Sequence, residues 1–283
     1  MANVLDRSKQ IQILRALCEG NSIRATARLV GVSKDTVQKL LRIVGAHCKN
    51  YHERHVVNVE AKSVQADEIW SFVGCKEAQL YDDERGLGRG DVWTWTALDH
   101  DSKLIISYRV GNRDMANAEA FMLDLSERLS HRVQLTTDGL YMYFRAVEKA
   151  FKWNGVDYAM LIKIYGSNSA ERRYSPAKVL GIEKNVIMGN PKEADISTSY
   201  VERQNLSMRM ANRRFTRLTN AFSKKVEYHL YAVALYFMHY NYCRKHQTLT
   251  KAANGVHTTP AMAAKLTDHV WSISDLLDLL HGN

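Results

Sequence analysis

The order of hydrophobic patterns after Val64 constrains the fold of this chain more than any other feature. Three consecutive segments have the alternation and composition of strands, and helical and strand patterns then alternate. The strands are predicted at 64–74, 91–99, 104–111, 133–137 and 158–164. Helices are predicted at 112–130, 140–153, 197–218 and from 223 to about 242. This order predicts an α/β domain whose strands form one mixed sheet flanked by helices.

The first fifty residues have a different pattern, which is typical of an all-α helix-turn-helix domain. Apolar spacing predicts helices at 8–19 and 23–30, and the turn Gly31-Val32-Ser33 precedes a third helix that Ser33 caps. Polar residues at the start of that third helix are placed to meet base edges in a major groove. The candidate DNA-binding residues are Lys34, Thr36, Gln38, Lys39 and Arg42. The alternative is a helical hairpin with a solvated basic face.

Charge and composition narrow the class of protein. Lys and Arg number 39 against 30 Asp and Glu, and the resulting net charge of +9 favours an acidic polymer such as nucleic acid as partner. A hydrophobic content of 46% excludes a disordered tail. The four cysteines form no C-x-x-C pair, which argues against a disulfide framework or a zinc ribbon. Without a signal core or a membrane-length apolar run, we expect a cytoplasmic, nucleoid-associated protein with no membrane partner.

Position singles out three of the acidic residues. Asp67 lies inside a predicted strand, where Asp is unfavourable unless it is used. Asp138 follows a strand at the sheet edge where α/β proteins bind ligands. Glu202 lies in the first turn of a predicted helix. Because successive strand side chains point to opposite faces, Glu68 is not expected to share a site with Asp67.

Each of these acids also has a structural explanation. Asp67 could be an ordinary edge-strand residue, and Asp138 could cap a helix or form an Asp-Gly turn. Glu202 could complete a capping box with Ser199. Residues 203–226 favour the functional alternative for Glu202, because they contain seven Lys or Arg and no acid.

This basic run supplies further candidates for contacts with a DNA backbone. Glu202 and Arg209 are two helical turns apart, so they share a helix face at about 10 Å along the axis. A carboxylate at the scissile phosphate and a cation further along the same strand would suit DNA. The DNA-binding candidates here are Arg203, Arg209, Arg213 and Arg214. The alternative is a solvated helix face.

Four segments carry a resemblance to a known family. DEIWSFVG, TDGLY, STSYVERQNLSMRMANRRFTRLTNAFSKK, and HYNYCRKHQTL with TTPAMA resemble the DDE transposases of the insertion-sequence-one family, from about Val64 to the end. The order of elements likewise resembles a ribonuclease H-like domain. The resemblance implies that Asp67, Asp138 and Glu202 are the catalytic residues and the ligands of two Mg²⁺ or Mn²⁺ ions per active site.

The resemblance also implies a motif near the active face. Its members are Tyr240, Asn241, Arg244 and His246. For Tyr240 and Asn241 the alternative is that they only anchor the final helix.

These expectations combine into a domain organisation. A helix-turn-helix domain at 1–48 and a linker at 49–62 precede a ribonuclease H-like catalytic domain at 63–250, and a helical tail occupies 251–283. We expect 166–196 to form an irregular insertion near the active site, with Arg172, Arg173, Lys178, Lys184 and Lys192 tracking DNA.

The predicted function is that of a DNA transposase from a mobile genetic element. It would bind the terminal inverted repeats of an insertion sequence and, as a homo-oligomer, catalyse Mg²⁺-dependent strand cleavage and strand transfer into target DNA. One alternative is a DNA-binding regulator of the element that does not cut. Another is a structure-selective nuclease, which the helix-turn-helix disfavours because such enzymes need little sequence readout.

Overall fold

The amino-terminal helices form the predicted helix-turn-helix. A computed structural model describes residues 5–84, 88–152, 155–166, 179–217 and 219–281. The three helices are α1 (Arg7–Cys18), α2 (Ile23–Val30) and α3 (Lys34–His55). Their first turns are capped by the side chains of Asp6, Ser22 and Ser33, which accept from free backbone N–H groups. Gly31 ends α2 in the left-handed region with φ +67, a conformation that favours glycine.

The linker assignment at 49–62 stays a prediction, and the first residues of this segment continue α3 as far as His55. The reason is that α3 packs against α7 (Val226–Met238) with close backbone approach. A Cβ on Gly45 would lie 2.5 Å from the Cβ of Tyr231, so only glycine fits there. Further along α3, Cys48 and His52 are buried. The buried side chains of the helix-turn-helix belong to the same hydrophobic cluster as those of the sheet.

The described strands form one six-stranded sheet in the order β3-β2-β1-β4-β5-β6. They are β1 (Ser63–Val73), β2 (Gly90–Asp99), β3 (Ile105–Gly111), β4 (Val133–Thr137), β5 (Val156–Tyr165) and β6 (Val179–Met188). β2 is antiparallel to β1 and β3, whereas β4 is parallel to β1 and β5. β6 is antiparallel to β5. The first five strands have the ribonuclease H-like order, so the predicted fold class is confirmed.

β6 corrects the expectation of an irregular segment at 166–196. Its residues are mostly exposed, so its strand character comes from backbone pairing with β5 and not from a hydrophobic pattern. Lys184 lies opposite Leu161, and its ammonium group donates to the backbone oxygen of Glu193 at 2.7 Å. Arg172, Arg173 and Lys178 lie outside the described residues.

Helices cover both faces of the sheet. α4 (Met115–Arg128) and α5 (Tyr141–Phe151) bury Phe121 and Tyr143 against Trp95 of β2, with ring centroids 6.1 and 5.6 Å from the tryptophan. α6 (Ser199–Ala211) and α7 enclose a second cluster that contains Ile69 and Phe237. Full burial of each such side chain stabilises the fold by about 1.5–3 kcal/mol.

α6 ends at Ala211, seven residues before the predicted end at 218. Asn212 leaves the helical region with φ −113 and ψ 107, and its side-chain oxygen accepts from the backbone N–H of Arg214 at 3.2 Å. This bond starts the 3₁₀ turn Arg213–Phe215. Arg213 and Arg214 therefore lie beyond α6, on a separate turn.

The carboxyl-terminal segment packs back onto the helix-turn-helix. After α7 a single π turn, His239–Cys243, leads to α8 (Gln247–Ala252), α9 (Pro260–Ala263) and α10 (Ile273–Asp278). Arg7 of α1 pairs with Asp278 at 2.7 Å, and Trp271 contacts the ring of Tyr51 on α3. Across the described chain, no helix combines the length and the apolar character needed to span a membrane.

Candidate active site

Asp67 and Asp138 meet at the edge where two parallel strands separate. The last residue pair between β1 and β4 is Gln65 with Thr136. Asp67 lies two residues further along β1, and Asp138 directly follows the end of β4. Carboxylate oxygens of Asp67, Glu68 and Asp138 all lie within 4.8 Å of one another. The structure thus brings together two of the three predicted acids.

Glu68 is also at this site, which corrects the expectation from strand alternation. Because β4 no longer pairs with β1 beyond Gln65, the longer Glu68 side chain can reach the same gap from the opposite face. Both oxygens of its carboxylate accept hydrogen bonds. Oε1 accepts from the guanidinium of Arg113 at 2.8 Å, and Oε2 accepts from the hydroxyl of Tyr143 at 2.9 Å. Glu68 therefore holds Arg113 and Tyr143 beside the two aspartates.

Glu202 lies on α6, which packs over β1. The residue that caps α6 is Thr198, so the capping box predicted between Ser199 and Glu202 does not form. Instead, Oε1 of Glu202 accepts from the hydroxyl of Thr198 at 2.6 Å, and the ammonium group of Lys163 on β5 donates to both carboxylate oxygens.

The position of Glu202 is close to, but distinct from, the group of three carboxylates. Burial is the main cause of the raised pKa of Asp67 and of Asp138, and the charge of Glu202 adds to both shifts. The Glu202 carboxylate is not part of the group whose oxygens lie within 4.8 Å of one another, and its ion-pair partner is Lys163.

Asn205 is a site residue that the sequence motifs did not indicate. It lies one turn after Glu202 on the same face of α6, and its Nδ2 donates to Oδ2 of Asp67 at 2.8 Å. Its Oδ1 is buried and has no hydrogen-bond partner among the described residues. The spacing Glu202-x-x-Asn205 is the signal that could have identified it.

Arg209 continues this face of α6, as predicted from the two-turn spacing. It is half-buried, and burial together with Arg217 lowers the pKa of its guanidinium, whereas the charge of Asp67 raises it. The exposed Arg203 lies on another face of the helix.

The electrostatics of the site reflect an excess of buried negative charge. Burial, followed by the charges of Glu68 and Asp138, raises the pKa of Asp67 to about 8. Burial and the charge of Asp138 also raise the pKa of Glu68, although Arg113 opposes this shift. Burial raises the pKa of Asp138, whose Oδ1 accepts from the backbone N–H of Leu140 at 3.0 Å. Like charges that share a buried site disfavour their ionised forms.

These donors fit a divalent cation that prefers oxygen. Carboxylate and amide oxygens are the ligands of Mg²⁺ and Mn²⁺, and the site offers those of Asp67 and Asp138 with the unpaired Oδ1 of Asn205 nearby. A bound cation would offset the burial and the charge repulsion that raise these pKa values. The set contains no Cys or His ligand.

The predicted base-reading residues lie at the start of α3. Lys34, Lys39 and Arg42 are exposed, Gln38 is half-buried, and the hydroxyl of Thr36 is hydrogen-bonded to that of Ser33 at 2.9 Å. All five stay predictions for DNA contact.

The motif expected near the active face divides into two parts. Tyr240 and Asn241 are buried, and Asn241 accepts from the backbone N–H of Ile105 and donates to its oxygen, both at 3.0 Å. Their side chains lie in the core, which supports the alternative that they anchor the final helix, and an active-face role for them stays a prediction. Arg244 is exposed and His246 is half-buried, and burial lowers the pKa of the histidine.

Comparison with known proteins supports the amino-terminal assignment. The model of a Homeodomain-like domain matches residues 5–44. No curated protein sequence matches the chain at a significant level.

Among solved structures, the chain is similar to transposase complexes at low identity. One is a Mos1 transposase paired-end complex with left transposon end, at 13% identity over 56% of this chain and 60% of that one, with a TM-score of 0.24. A piggyBac transposase synaptic complex with hairpin DNA is 10% identical over 94% and 59%, with a TM-score of 0.39. A pre-cleavage Mos1 transpososome is 11% identical over 99% and 79%, with a TM-score of 0.30. The chain thus spans about 60% of the length of the first two, and the fold assignment rests on its own strand order.

Proposed function

We propose that this chain is a DNA transposase that cleaves DNA at the ends of an insertion sequence and joins them to a target. The observation that carries the proposal is the convergence of Asp67 and Asp138 from neighbouring parallel strands, with Glu202 on α6, which packs over β1. The strand order is that of a ribonuclease H-like core. Membership of the insertion-sequence-one family and the DDE assignment belong to this proposal.

Asp67, Asp138 and Glu202 are the residues that would hold two divalent ions. When bound, such ions lower the pKa of an attacking water or 3′-hydroxyl and stabilise the leaving oxygen of a phosphodiester. Mg²⁺ is the preferred candidate, and Mn²⁺ suits the same oxygen ligands.

The other residues of the chain have supporting roles in this proposal. Asn205 fixes the Asp67 carboxylate through its Nδ2 hydrogen bond. Arg209, further along the same helix face, would bind a backbone phosphate away from the cleavage point. The helix-turn-helix would place the terminal repeat by contacts from the start of α3 to base edges.

The presence of a helix-turn-helix favours this function over a structure-selective nuclease, which has little use for sequence readout. A regulator that binds ends without cutting would not need three carboxylates near one another at a cost in stability. Association with the nucleoid and assembly into a homo-oligomer on DNA remain predictions from the sequence.

The test is cleavage of a labelled duplex taken from the DNA that flanks the coding sequence, with Mg²⁺ and with a chelator, followed by mapping of both strands. We expect Mg²⁺-dependent nicking that yields a 3′-hydroxyl, and joining of that end to a second duplex. Asp67→Ala, Asp138→Ala and Glu202→Ala should abolish both steps while leaving end binding nearly unchanged.

Asp268→Asn is the matched control, because Asp268 is an exposed acid whose described partner is the neighbouring His269. Wild-type cleavage by Glu202→Ala would show that Glu202 is the wrong acid. Tight end binding without any Mg²⁺-dependent nicking would favour the regulator. Preferential cleavage of an RNA–DNA hybrid would favour the nuclease.

A further inference from the structure

A cleft of about 790 Å³ separates the helix-turn-helix from the α6–α7 region. One wall is formed by the start of α2 and by Lys34 and Gln38 of α3. The other wall is formed by residues 211–214, by 220–222, by Lys224 and Lys225 and by α7. We name it the basic cleft because its lining holds six cations and, among the described residues, no Asp or Glu. The cations are Arg24, Lys34, Arg213, Arg214, Lys224 and Lys225.

These cations have no counter-ions within the described part of the chain, where none of the six forms a salt bridge. Arg214 is the most enclosed, and burial lowers the pKa of its guanidinium to about 10. Its side chain donates to the hydroxyl of Ser223 at 2.6 Å, and that hydroxyl also lies 3.1 Å from Nδ1 of His229. A guanidinium has five N–H donors, so most of those on Arg214 remain for an anion. A buried charge without a partner is costly, and a bound anion would remove that cost.

The cleft also lies where DNA phosphates would pass if α3 reads a major groove. A helix with its side chains is about 10–12 Å across and the groove is about 12 Å wide, so backbone phosphates flank a docked helix. Lys34 and Gln38 are one turn apart on α3, and both line the cleft. The phosphate backbone that borders the major groove on that side of α3 would therefore enter the basic cleft.

The position of the cleft relative to the acids is set by α6. From Glu202 to Ala211, where the cleft begins, the helix rises by about 14 Å. Each nucleotide of one DNA strand advances about 3.4 Å along the duplex axis, so for a duplex that runs parallel to α6 this rise corresponds to about four nucleotides. The two walls are held together by close contacts, since a Cβ on Gly20 would lie 3.0 Å from the backbone oxygen of Met210.

We propose that the basic cleft binds the phosphate backbone of the same DNA end that α3 reads, so that one chain both recognises an end and places it at its own acids. Arg214 is the central anion ligand of this cleft, and Arg24 and Lys225 hold the strand from the two opposite walls. The inference rests on the proposed DNA function, because it takes DNA as the partner.

The first test measures binding of the full chain to a short duplex of arbitrary sequence over a range of salt concentrations. The variant Arg24→Gln/Lys225→Gln removes one exposed cation from each wall. If each cation neutralises one phosphate, the slope of log K against log salt should fall in magnitude by about 1.8. Arg214→Gln should likewise weaken binding to the duplex and reduce the magnitude of the salt slope.

The matched control is Arg54→Gln/Lys251→Gln, which removes two exposed cations outside the cleft. It should leave the salt slope at the wild-type value. Thermal unfolding checks that each variant is folded. A wild-type slope for the folded cleft variant, or an equal loss in the control, would overturn the inference without bearing on the acids.

The second test mixes two defective chains, Arg24→Gln/Lys225→Gln and Glu202→Ala, and measures cleavage of an end. If one chain binds and cuts the same end, the mixture should cut no faster than the cleft variant alone. Recovery of cleavage in the mixture would overturn the assignment to a single chain. The two proposals can fail separately. If the wild-type protein cuts no DNA but the cleft variant has a smaller salt slope, the proposed enzyme function is wrong and the basic cleft is still supported as a DNA-binding site.

Discussion

Lys163 of β5 donates hydrogen bonds to both carboxylate oxygens of Glu202 on α6. This ion pair ties β5 to the helix that carries the third proposed acid. Both side chains are partly exposed, at 24% and 40%, so the pair contributes at most about 1 kcal/mol. Glu202 is therefore held away from Asp67 and Asp138 by a weak interaction, which a divalent ion at those residues can replace at small cost.

Lys163→Gln should strengthen binding of Mn²⁺ to the chain. The substitution removes the cation that competes for Glu202, and an ion pair of this exposure corresponds to about three- to fivefold in affinity. The measurement is a calorimetric titration of the metal-free protein.

Lys149→Gln is the control for Lys163→Gln, because it breaks an ion pair with Glu119 that lies away from the site. Equal Mn²⁺ affinity of wild type and Lys163→Gln would show that the Lys163–Glu202 pair does not compete with metal binding.

Asp67→Asn and Glu68→Gln should change thermal stability in opposite directions, although the residues are neighbours. Without divalent ions, Asp67→Asn should raise the unfolding midpoint, since it removes one of three clustered carboxyl groups. Glu68→Gln should lower the midpoint, with a loss of about 2 kcal/mol in the free energy of unfolding, because the Glu68 carboxylate accepts hydrogen bonds from Arg113 and Tyr143.

Addition of Mn²⁺ tests separately whether Asp67 is a metal ligand. Mn²⁺ should raise the unfolding midpoint of the wild type and should not raise that of Asp67→Asn. A midpoint of Asp67→Asn that rises with Mn²⁺ as much as the wild type would exclude Asp67 as a metal ligand.

Local patterns predicted most of the fold, because helix and strand periodicities are properties of short segments. The bounds of α2 and β4 agree with the prediction to the residue. The strand-to-helix order placed Asp138 at the edge of the sheet where ligands bind, whereas the grouping of Asp67 with Asp138 came from the family resemblance.

The remaining features depend on contacts between distant parts of the chain. Lys163 meets Glu202 across 39 residues, and Arg113 meets Glu68 across 45. β6 exists through its pairing with β5, and its own hydrophobic pattern does not indicate a strand. α6 ends early because the Asn212 side chain accepts from the backbone of Arg214, a competition that helical periodicity does not register.

Asn241→Ala should destabilise the fold without changing DNA binding. Asn241 is buried and satisfies both backbone groups of Ile105, at the start of β3. Its loss leaves a buried donor and a buried acceptor without partners, at a cost of about 2–4 kcal/mol. Urea unfolding measures the cost, and duplex binding of the folded variant should equal that of the wild type.

Arg244→Gln, an exposed residue of the same segment, is the control for Asn241→Ala and should leave stability within about 0.5 kcal/mol. Unchanged unfolding by Asn241→Ala together with lost DNA binding would support an active-face role for the motif.

Acid should destabilise the protein through His52, which links α3 to the sheet. The ring Nε2 of His52 lies 3.1 Å from the backbone oxygen of Ile106, and burial followed by the charge of Arg128 lowers the pKa of the imidazole to about 3. The unfolded chain, with an ordinary histidine pKa of about 6.5, binds a proton first as the pH falls. The stability that neutral His52 maintains is complete above pH 6.5 and is lost progressively towards pH 3. Between pH 7 and pH 5 the loss is about 2 kcal/mol.

His52→Gln should make this dependence shallower, because glutamine does not titrate and can still donate to the Ile106 oxygen. Urea unfolding at a series of pH values between 7 and 5 should show a free-energy change about 2 kcal/mol smaller than in the wild type. The exposed His131 provides the control, and His131→Gln should keep the wild-type pH dependence. Parallel curves for the wild type and His52→Gln would show that burial of this imidazole does not govern the acid sensitivity of the fold.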